Sequence, residues 1–112
     1  MRISERNRRV AFLVAVKVKN EARELVADRW DEHCAAWAKY LPVSDGEKLR
    51  AAAVEQRTDA RFQTRWSPNL AQVTGAFRLR FQGFDWRITG VKEIGLREGL
   101  EFTAWKIEKP GA

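Results

Sequence analysis

The chain has 112 residues, of which 45% are hydrophobic, with five Trp, six Phe, one Cys and a net charge of +6. This length predicts a single domain, residues 1–112, and the aromatic content excludes a disordered chain. One cysteine excludes an intramolecular disulfide framework and suits a reducing compartment or a virion. No apolar run approaches the roughly 18 residues of a membrane span, so we expect no membrane association.

The first third of the chain predicts two strands around an acidic connection. Arg9–Lys19 is rich in valine and predicts the first strand. Residues 20–33 carry five carboxylates against two arginines, a net charge of −3, and we expect an acidic loop there, with a short helix as the alternative. The second strand is predicted around Cys34–Leu41 and is ended by Pro42. The acidic residues predicted to contact a partner are Glu21, Glu24 and Asp28.

A short helix is predicted over residues 45–57. Ser44 and Glu47 have the spacing of a capping box, and the residues that follow have good helix propensity. The apolar stripe of this segment is weak, so we expect the helix to lie against the sheet or against a neighbouring subunit.

The second half of the chain predicts further strands separated by turns. Alternating aromatic and charged residues are typical of a half-buried sheet. A turn is expected at Ser67–Asn69, and Gly90 is a candidate bulge. The predicted strands are Arg61–Trp66, Phe77–Gln82, Phe84–Val91 and Leu100–Glu108.

Arginine is concentrated on one side of these strands. Residues 61–92 hold six basic residues against Asp85 alone, a net charge of +5, and in the whole chain Arg outnumbers Lys by 14 to 7. The ordinary interpretation is a solvated outer face. The arginine excess favours an interface with a polyanion or an acidic protein, since arginine suits interface ion pairs and phosphate contacts. The candidates are Arg61, Arg65, Arg78, Arg80 and Arg87.

No catalytic signature is found. His33 and Cys34 are adjacent and lack the further ligands that zinc requires. Ser44 is predicted at a helix cap, and no glycine-rich phosphate loop is present. We therefore predict that the protein is not an enzyme and has no catalytic, metal-binding or cofactor-binding residues.

Several motifs resemble the phage head-tail joining proteins, also called head completion, head closure or stopper proteins. The resemblance lies in Trp37-Ala38 followed by the Pro-Val-Ser-x-Gly-Glu turn at 42–47, in the strand that contains Arg65, and in a Gly-aromatic hairpin ending in Trp86-Arg87-Ile88. It covers nearly the whole chain.

The resemblance implies a mainly β fold, a small antiparallel barrel or sandwich of about six strands with one short α-helix between strands 2 and 3. It also implies a ring of identical subunits at the portal vertex of a phage or gene-transfer-agent particle. Such a ring joins head to tail and helps retain packaged DNA. The implied partners are other copies of the chain, the portal or adaptor protein, a tail-side protein and double-stranded DNA. The implied location is the virion, with the host cytoplasm during assembly.

In such rings the segment between the second and third strands projects toward the channel. The residues that this implies for contact with DNA are Lys48, Arg50 and Arg57. The helix predicted in this segment departs from a purely extended plug loop.

Two further expectations follow from the outward-facing arginines. Replacing Arg78 and Arg80 together by glutamate is expected to leave the monomer folded and to block particle completion. A competing hypothesis is a basic barrel of the oligonucleotide-binding type, which would bind single-stranded nucleic acid through Trp66, Trp86 and the arginines.

Overall fold

The computed structural model describes residues 7–43 and 58–107. Six antiparallel strands close into a barrel in the order β1-β2-β3-β6-β5-β4, which confirms the mainly β prediction. The helix predicted over residues 45–57 lies outside the described residues. The elements are β1 (Arg8–Lys19), β2 (Leu25–Pro42), β3 (Asp59–Arg65), α1 (Pro68–Ala71), β4 (Arg78–Phe81), β5 (Phe84–Ile94) and β6 (Gly99–Lys106).

Alternate residues of the strands fill the barrel with aromatic rings. Phe62 lies 5.3 Å from both Phe81 and Trp86, measured between ring centres, and both contacts are edge-on. Phe12 and Phe102 are fully buried and lie 4.7 Å apart. Edge-on and tilted contacts at these distances are favourable, so this cluster is the main apolar contribution to stability.

The β4–β5 hairpin has a two-residue turn at Gln82 and Gly83. Gln82 and Gly83 both have positive φ, at 54° and 80°, as a two-residue type I′ turn requires. Across the barrel, the register of β5 against β6 shifts between Ile88 and Gly90, which confirms the predicted bulge at Gly90.

A single helical turn replaces the turn expected at Ser67–Asn69. The Ser67 hydroxyl accepts a hydrogen bond from the backbone N–H of Leu70 at 3.1 Å, and Pro68 occupies the first turn, where its missing N–H costs nothing. Leu70 is buried in the core cluster, so α1 packs against the barrel.

The acidic loop predicted over residues 20–33 is wrong, because β2 begins at Leu25. Only Asn20–Glu24 forms a turn. The Asn20 side chain accepts hydrogen bonds from the backbone N–H groups of Ala22 and Glu24, both at 2.9 Å. These bonds close a tight turn, in which Arg23 has a φ of 62°. The acidic residues after the turn belong to β2.

The two long strands extend beyond the barrel as a ribbon, which we call the arm (residues 14–32). β1 pairs with β4 only from Ala11 to Leu13, and β2 pairs with β3 only from Ala38 to Pro42. In the described structure, residues 14–31 of the arm therefore form strand pairs only with one another. Every side chain from Lys17 to Val26 is exposed. None of the helices described is long and apolar enough to cross a membrane.

Candidate interaction surfaces

Two of the predicted interface arginines surround a buried carboxylate. Asp85 faces Arg80 in the register between β4 and β5 and is only 1% exposed. Its carboxylate accepts a hydrogen bond from Arg80 Nε at 2.8 Å and one from Arg78 Nη1 at 3.5 Å. Arg78 also lies over the Trp30 ring, with 4.4 Å from Cζ to the ring centre. Both arginines therefore neutralise the same carboxylate, which is shielded from water, and removing them would leave a buried charge without a partner.

This arrangement argues against the expectation that the monomer stays folded when Arg78 and Arg80 are both replaced by glutamate. Two glutamates in these positions would surround Asp85 with like charge. The hydrogen bond to Asp85 also raises the pKa of Arg80 above its already high ordinary value, so Arg80 stays cationic across the accessible pH range.

Arg61 also has an intramolecular partner. Its Nε lies 3.6 Å from a Glu101 carboxylate oxygen, and Gln63 donates to the other oxygen of the same carboxylate at 3.0 Å. Arg61 remains partly exposed, at 40% of its side chain. The pair thus leaves part of the guanidinium accessible to a partner.

Arg65 and Arg87 are the two predicted interface arginines that are exposed and line grooves. Arg65 lies at the end of β3, and Arg87 lies on β5. The barrel order separates these strands by β6, so the predicted arginine face is spread around the curved outer surface.

The Arg65 groove, which we call the Trp37 groove, has a volume of about 640 Å³. It forms where β2 and β3 diverge beyond their last pair, Ala38 with Thr64. Trp37 is 55% exposed. Arg9 lies over the Trp37 ring at 5.5 Å from the ring centre, and Arg97 lies over Trp66 at 5.1 Å. The lining includes Ala35, Ala36, Trp37, Arg65, Trp66 and Leu70.

The Arg87 groove has a volume of about 450 Å³. Trp30, Phe77 and Trp105 supply its aromatic walls, and Arg78 and Arg87 supply its charge. Both grooves therefore combine tryptophan and arginine, the residues that contribute most to binding at protein interfaces.

Sequence reasoning missed these grooves because it treated alternating tryptophans as core. A signal was available at Trp37, which is flanked by Ala36 and Ala38. Ala38 is fully buried, so alternation turns Trp37 outward, and the small neighbours leave a concavity beside it.

The predicted acidic candidates lie in the arm. Glu21 and Glu24 are exposed in its turn, and Asp28 belongs to β2. The residues predicted to contact DNA, Lys48, Arg50 and Arg57, lie outside the described residues. The interface and channel roles of all these residues remain predictions.

The two residues considered for metal chemistry have structural contacts. His33 Nε2 lies 3.0 Å from the Asn69 carbonyl oxygen, and the imidazole packs edge-on against Phe77. Partial burial is the main cause that raises the pKa of the Cys34 thiol, and the nearby charge of Glu32 raises it further. No group of three or more metal-ligating side chains occurs among the described residues.

Trp86, one of the two tryptophans proposed to stack nucleic-acid bases, is 3% exposed and belongs to the core. Its indole N–H donates to the Phe81 carbonyl at 3.4 Å. The stacking hypothesis was wrong for Trp86, because a base cannot reach a ring inside the barrel.

The fold and surfaces define a small antiparallel β-barrel with tryptophan–arginine grooves. A family model described as phage head completion protein matches residues 1–108. The chain therefore belongs to the phage head completion protein family and is a structural virion protein. No match is found among curated proteins.

Two solved structures share the fold. The solution structure of protein SF1141 from Shigella flexneri 2a has a TM-score of 0.74 and 19% sequence identity, covering 97% of this chain and 100% of that chain. A chain of the virion of a native gene transfer agent particle has a TM-score of 0.64 and 24% identity, covering 90% of this chain and 94% of that chain. At these identities the similarity shows a shared fold and no more.

Proposed function

We propose that copies of this chain form a ring at the portal vertex, where the ring joins head to tail and helps retain packaged DNA. The observation that most directly supports this proposal is the match of residues 1–108 to the phage head completion protein family. The likeness to a chain of a gene transfer agent virion agrees with a place in such a particle. The proposed partners are the portal or adaptor protein on one side and a tail-side protein on the other.

In this proposal the ring is held mainly by apolar contacts. Exposed ion pairs contribute about 0–1 kcal/mol each, whereas burial of apolar surface contributes roughly 25 cal/mol per Å². The Trp37 groove and the Arg87 groove offer such surface. Arg61, Arg65 and Arg87 then select acidic partners and fix the register, with Glu21, Glu24 and Asp28 as candidate acidic contacts.

The retention of DNA is assigned to the segment between β2 and β3. Lys48, Arg50 and Arg57 are the proposed contacts to phosphate in the channel. Phosphate contacts of this kind do not depend on base sequence, which suits a channel that must accept any packaged genome. Assembly is proposed to take place in the host cytoplasm, before the tail docks.

The test uses DNA-filled particles that lack this chain. Adding the purified protein is expected to protect the packaged DNA from nuclease and to allow tails to attach. A matched addition of Arg65→Glu/Arg87→Glu protein, in which neither arginine has an ion pair in the described structure, is expected to be at least ten-fold less effective. Unchanged leakage and tail attachment after addition of the wild-type protein would refute the proposal.

A further inference from the structure

We propose that the arm of one copy seats in the Trp37 groove of the next copy, with its turn and β2 side against the groove. This inference deepens the ring proposed above and rests on it. It names the two surfaces that make the contact between subunits.

The arm has apolar surface that its own chain leaves uncovered. Val18 and Val26 face each other across the ribbon and are 41% and 39% exposed. Leu25, opposite Lys19, is 66% exposed. A two-stranded ribbon with open edges is marginally stable and prone to unwanted pairing unless another surface covers it.

The groove has matching chemistry. Trp37, Trp66 and Leu70 supply apolar walls, and none of the described residues that line the groove is acidic. Three guanidinium groups border it, because Arg65 lines it and Arg9 and Arg97 lie over its two tryptophan rings. The groove therefore favours an occupant that is both apolar and negatively charged.

The arm carries that negative charge on the side of its turn and β2. Residues 20–32 hold five carboxylates against Arg23 and Arg29, a net charge of −3. The β1 side, residues 14–19, carries Lys17 and Lys19, a net charge of +2. One side of the ribbon is thus acidic and the other basic, so the acidic side, the turn and β2, is expected to face the arginines of the groove.

The position of the two surfaces excludes contact within one copy. Arg9 pairs with Trp37 at one end of the β1–β2 ladder, and Lys19 pairs with Leu25 at the other end. Ten residues of strand separate them, roughly 33 Å. Complementary surfaces at opposite ends of one molecule give head-to-tail contacts, which close into a ring when the rotation permits.

The test is cross-linking within assembled particles. In a Cys34→Ala background, a chain with Leu25→Cys and Ala35→Cys places one thiol on the arm and one in the groove. A short bismaleimide reagent is expected to convert this chain into a ladder of multimers on a denaturing gel. The control carries Leu96→Cys with Ala35→Cys, since Leu96 is 88% exposed in the β5–β6 turn, and is expected to stay monomeric. Monomers alone from particles that contain the test chain would overturn the inference.

Charge-reversal variants test the same arm–groove contact if the two-cysteine chain fails to enter particles. Glu21→Arg/Glu24→Arg and Arg9→Glu/Arg65→Glu are each expected to lower incorporation at least ten-fold. Their combination in one chain is expected to restore incorporation to within about two-fold of wild type. Failure of the combination to restore it would overturn the contact, and absence of wild-type chain from particles would instead refute the proposed function.

Discussion

At the scale of single residues, the position of Asp85 separates arginines that stabilise the monomer from arginines open to partners. Arg78 and Arg80 both bind this buried carboxylate, and Arg78 also lines the Arg87 groove, whereas Arg65 and Arg87 line grooves and have no ion pair in the described structure. All four occupy similar places in the alternating sequence. The strand register accounts for part of this difference, because Arg80 lies opposite Asp85 and Arg78 lies two residues away on the same strand, whereas Arg65 lies opposite Gly99.

A matched pair of charge reversals tests this distinction. Arg78→Glu/Arg80→Glu is expected to lower the free energy of unfolding by about 3–5 kcal/mol, because it leaves a buried charge without a partner. Arg65→Glu/Arg87→Glu makes the same change in net charge and is expected to alter it by less than about 1 kcal/mol. Urea unfolding followed by tryptophan fluorescence measures both values. Equal stabilities for the two variants would show that Asp85 does not depend on its arginines.

Cys34 gives a prediction on pH. Because partial burial shields the thiol and raises its pKa, folded Cys34 is expected to react with iodoacetamide at pH 8 more slowly than the exposed thiol of Leu96→Cys in a Cys34→Ala background. The folded state binds this proton more tightly than the unfolded state. The resulting stability is therefore present below the ordinary cysteine pKa of about 8.5 and is lost as the pH rises through the folded value. Equal alkylation rates at pH 8 would contradict the prediction.

At the scale of elements, the turns determine where strands end. Gly83 has a φ of +80° and no atom within 4 Å of an added Cβ, whereas Gly90 lacks a positive φ and would meet Thr103 Cβ at an ordinary 3.9 Å. Any effect of alanine at Gly83 therefore comes from the backbone conformation alone.

We expect Gly83→Ala to lower the free energy of unfolding by about 1–2 kcal/mol, since an L-residue is strained in the left-handed region. The control, Gly90→Ala, is expected to change it by less than about 0.5 kcal/mol. Thermal unfolding by circular dichroism compares the two. A Gly83→Ala variant as stable as wild type would contradict the type I′ assignment.

The outer part of the arm, residues 17–28, is expected to be removable without disturbing the barrel. Val16 pairs with Arg29, so an Asn-Gly turn in place of residues 17–28 closes a shorter hairpin. The deleted side chains that the structure describes are exposed, and the melting temperature is expected to change by only a few degrees. Incorporation into particles is expected to fall at least ten-fold. Normal incorporation of this variant would show that the arm is not needed for assembly.

At the scale of the whole molecule, alternation predicted most of the strands, and the family resemblance implied that they form a barrel or sandwich. The polarity of residues such as Phe62 and Arg61 determines which side of a strand is buried, and this signal is local. The acidic segment was misread because its charges were taken to exclude a strand. In a ribbon that projects from the barrel, both faces are solvated, so charge gives no evidence against β structure.

The site was harder to predict because it depends on pairing between distant strands. The sequence predicted arginines on the outer face but not the register that brings Asp85 beside Arg80. The competing nucleic-acid hypothesis required Trp86 to be available to bases, although the ring lies within the aromatic cluster. The grooves arise where paired strands diverge, which no local pattern records.

The central claim is that this chain occupies the portal vertex as a ring. Cryo-electron microscopy of mature particles, compared with particles from a strain that lacks the gene, tests it most directly. We predict a ring of density, present only when the chain is present, between the portal and the tail, into which repeated copies of the barrel fit. Particles with identical density at that vertex, or with this chain bound elsewhere on the capsid, would contradict the account.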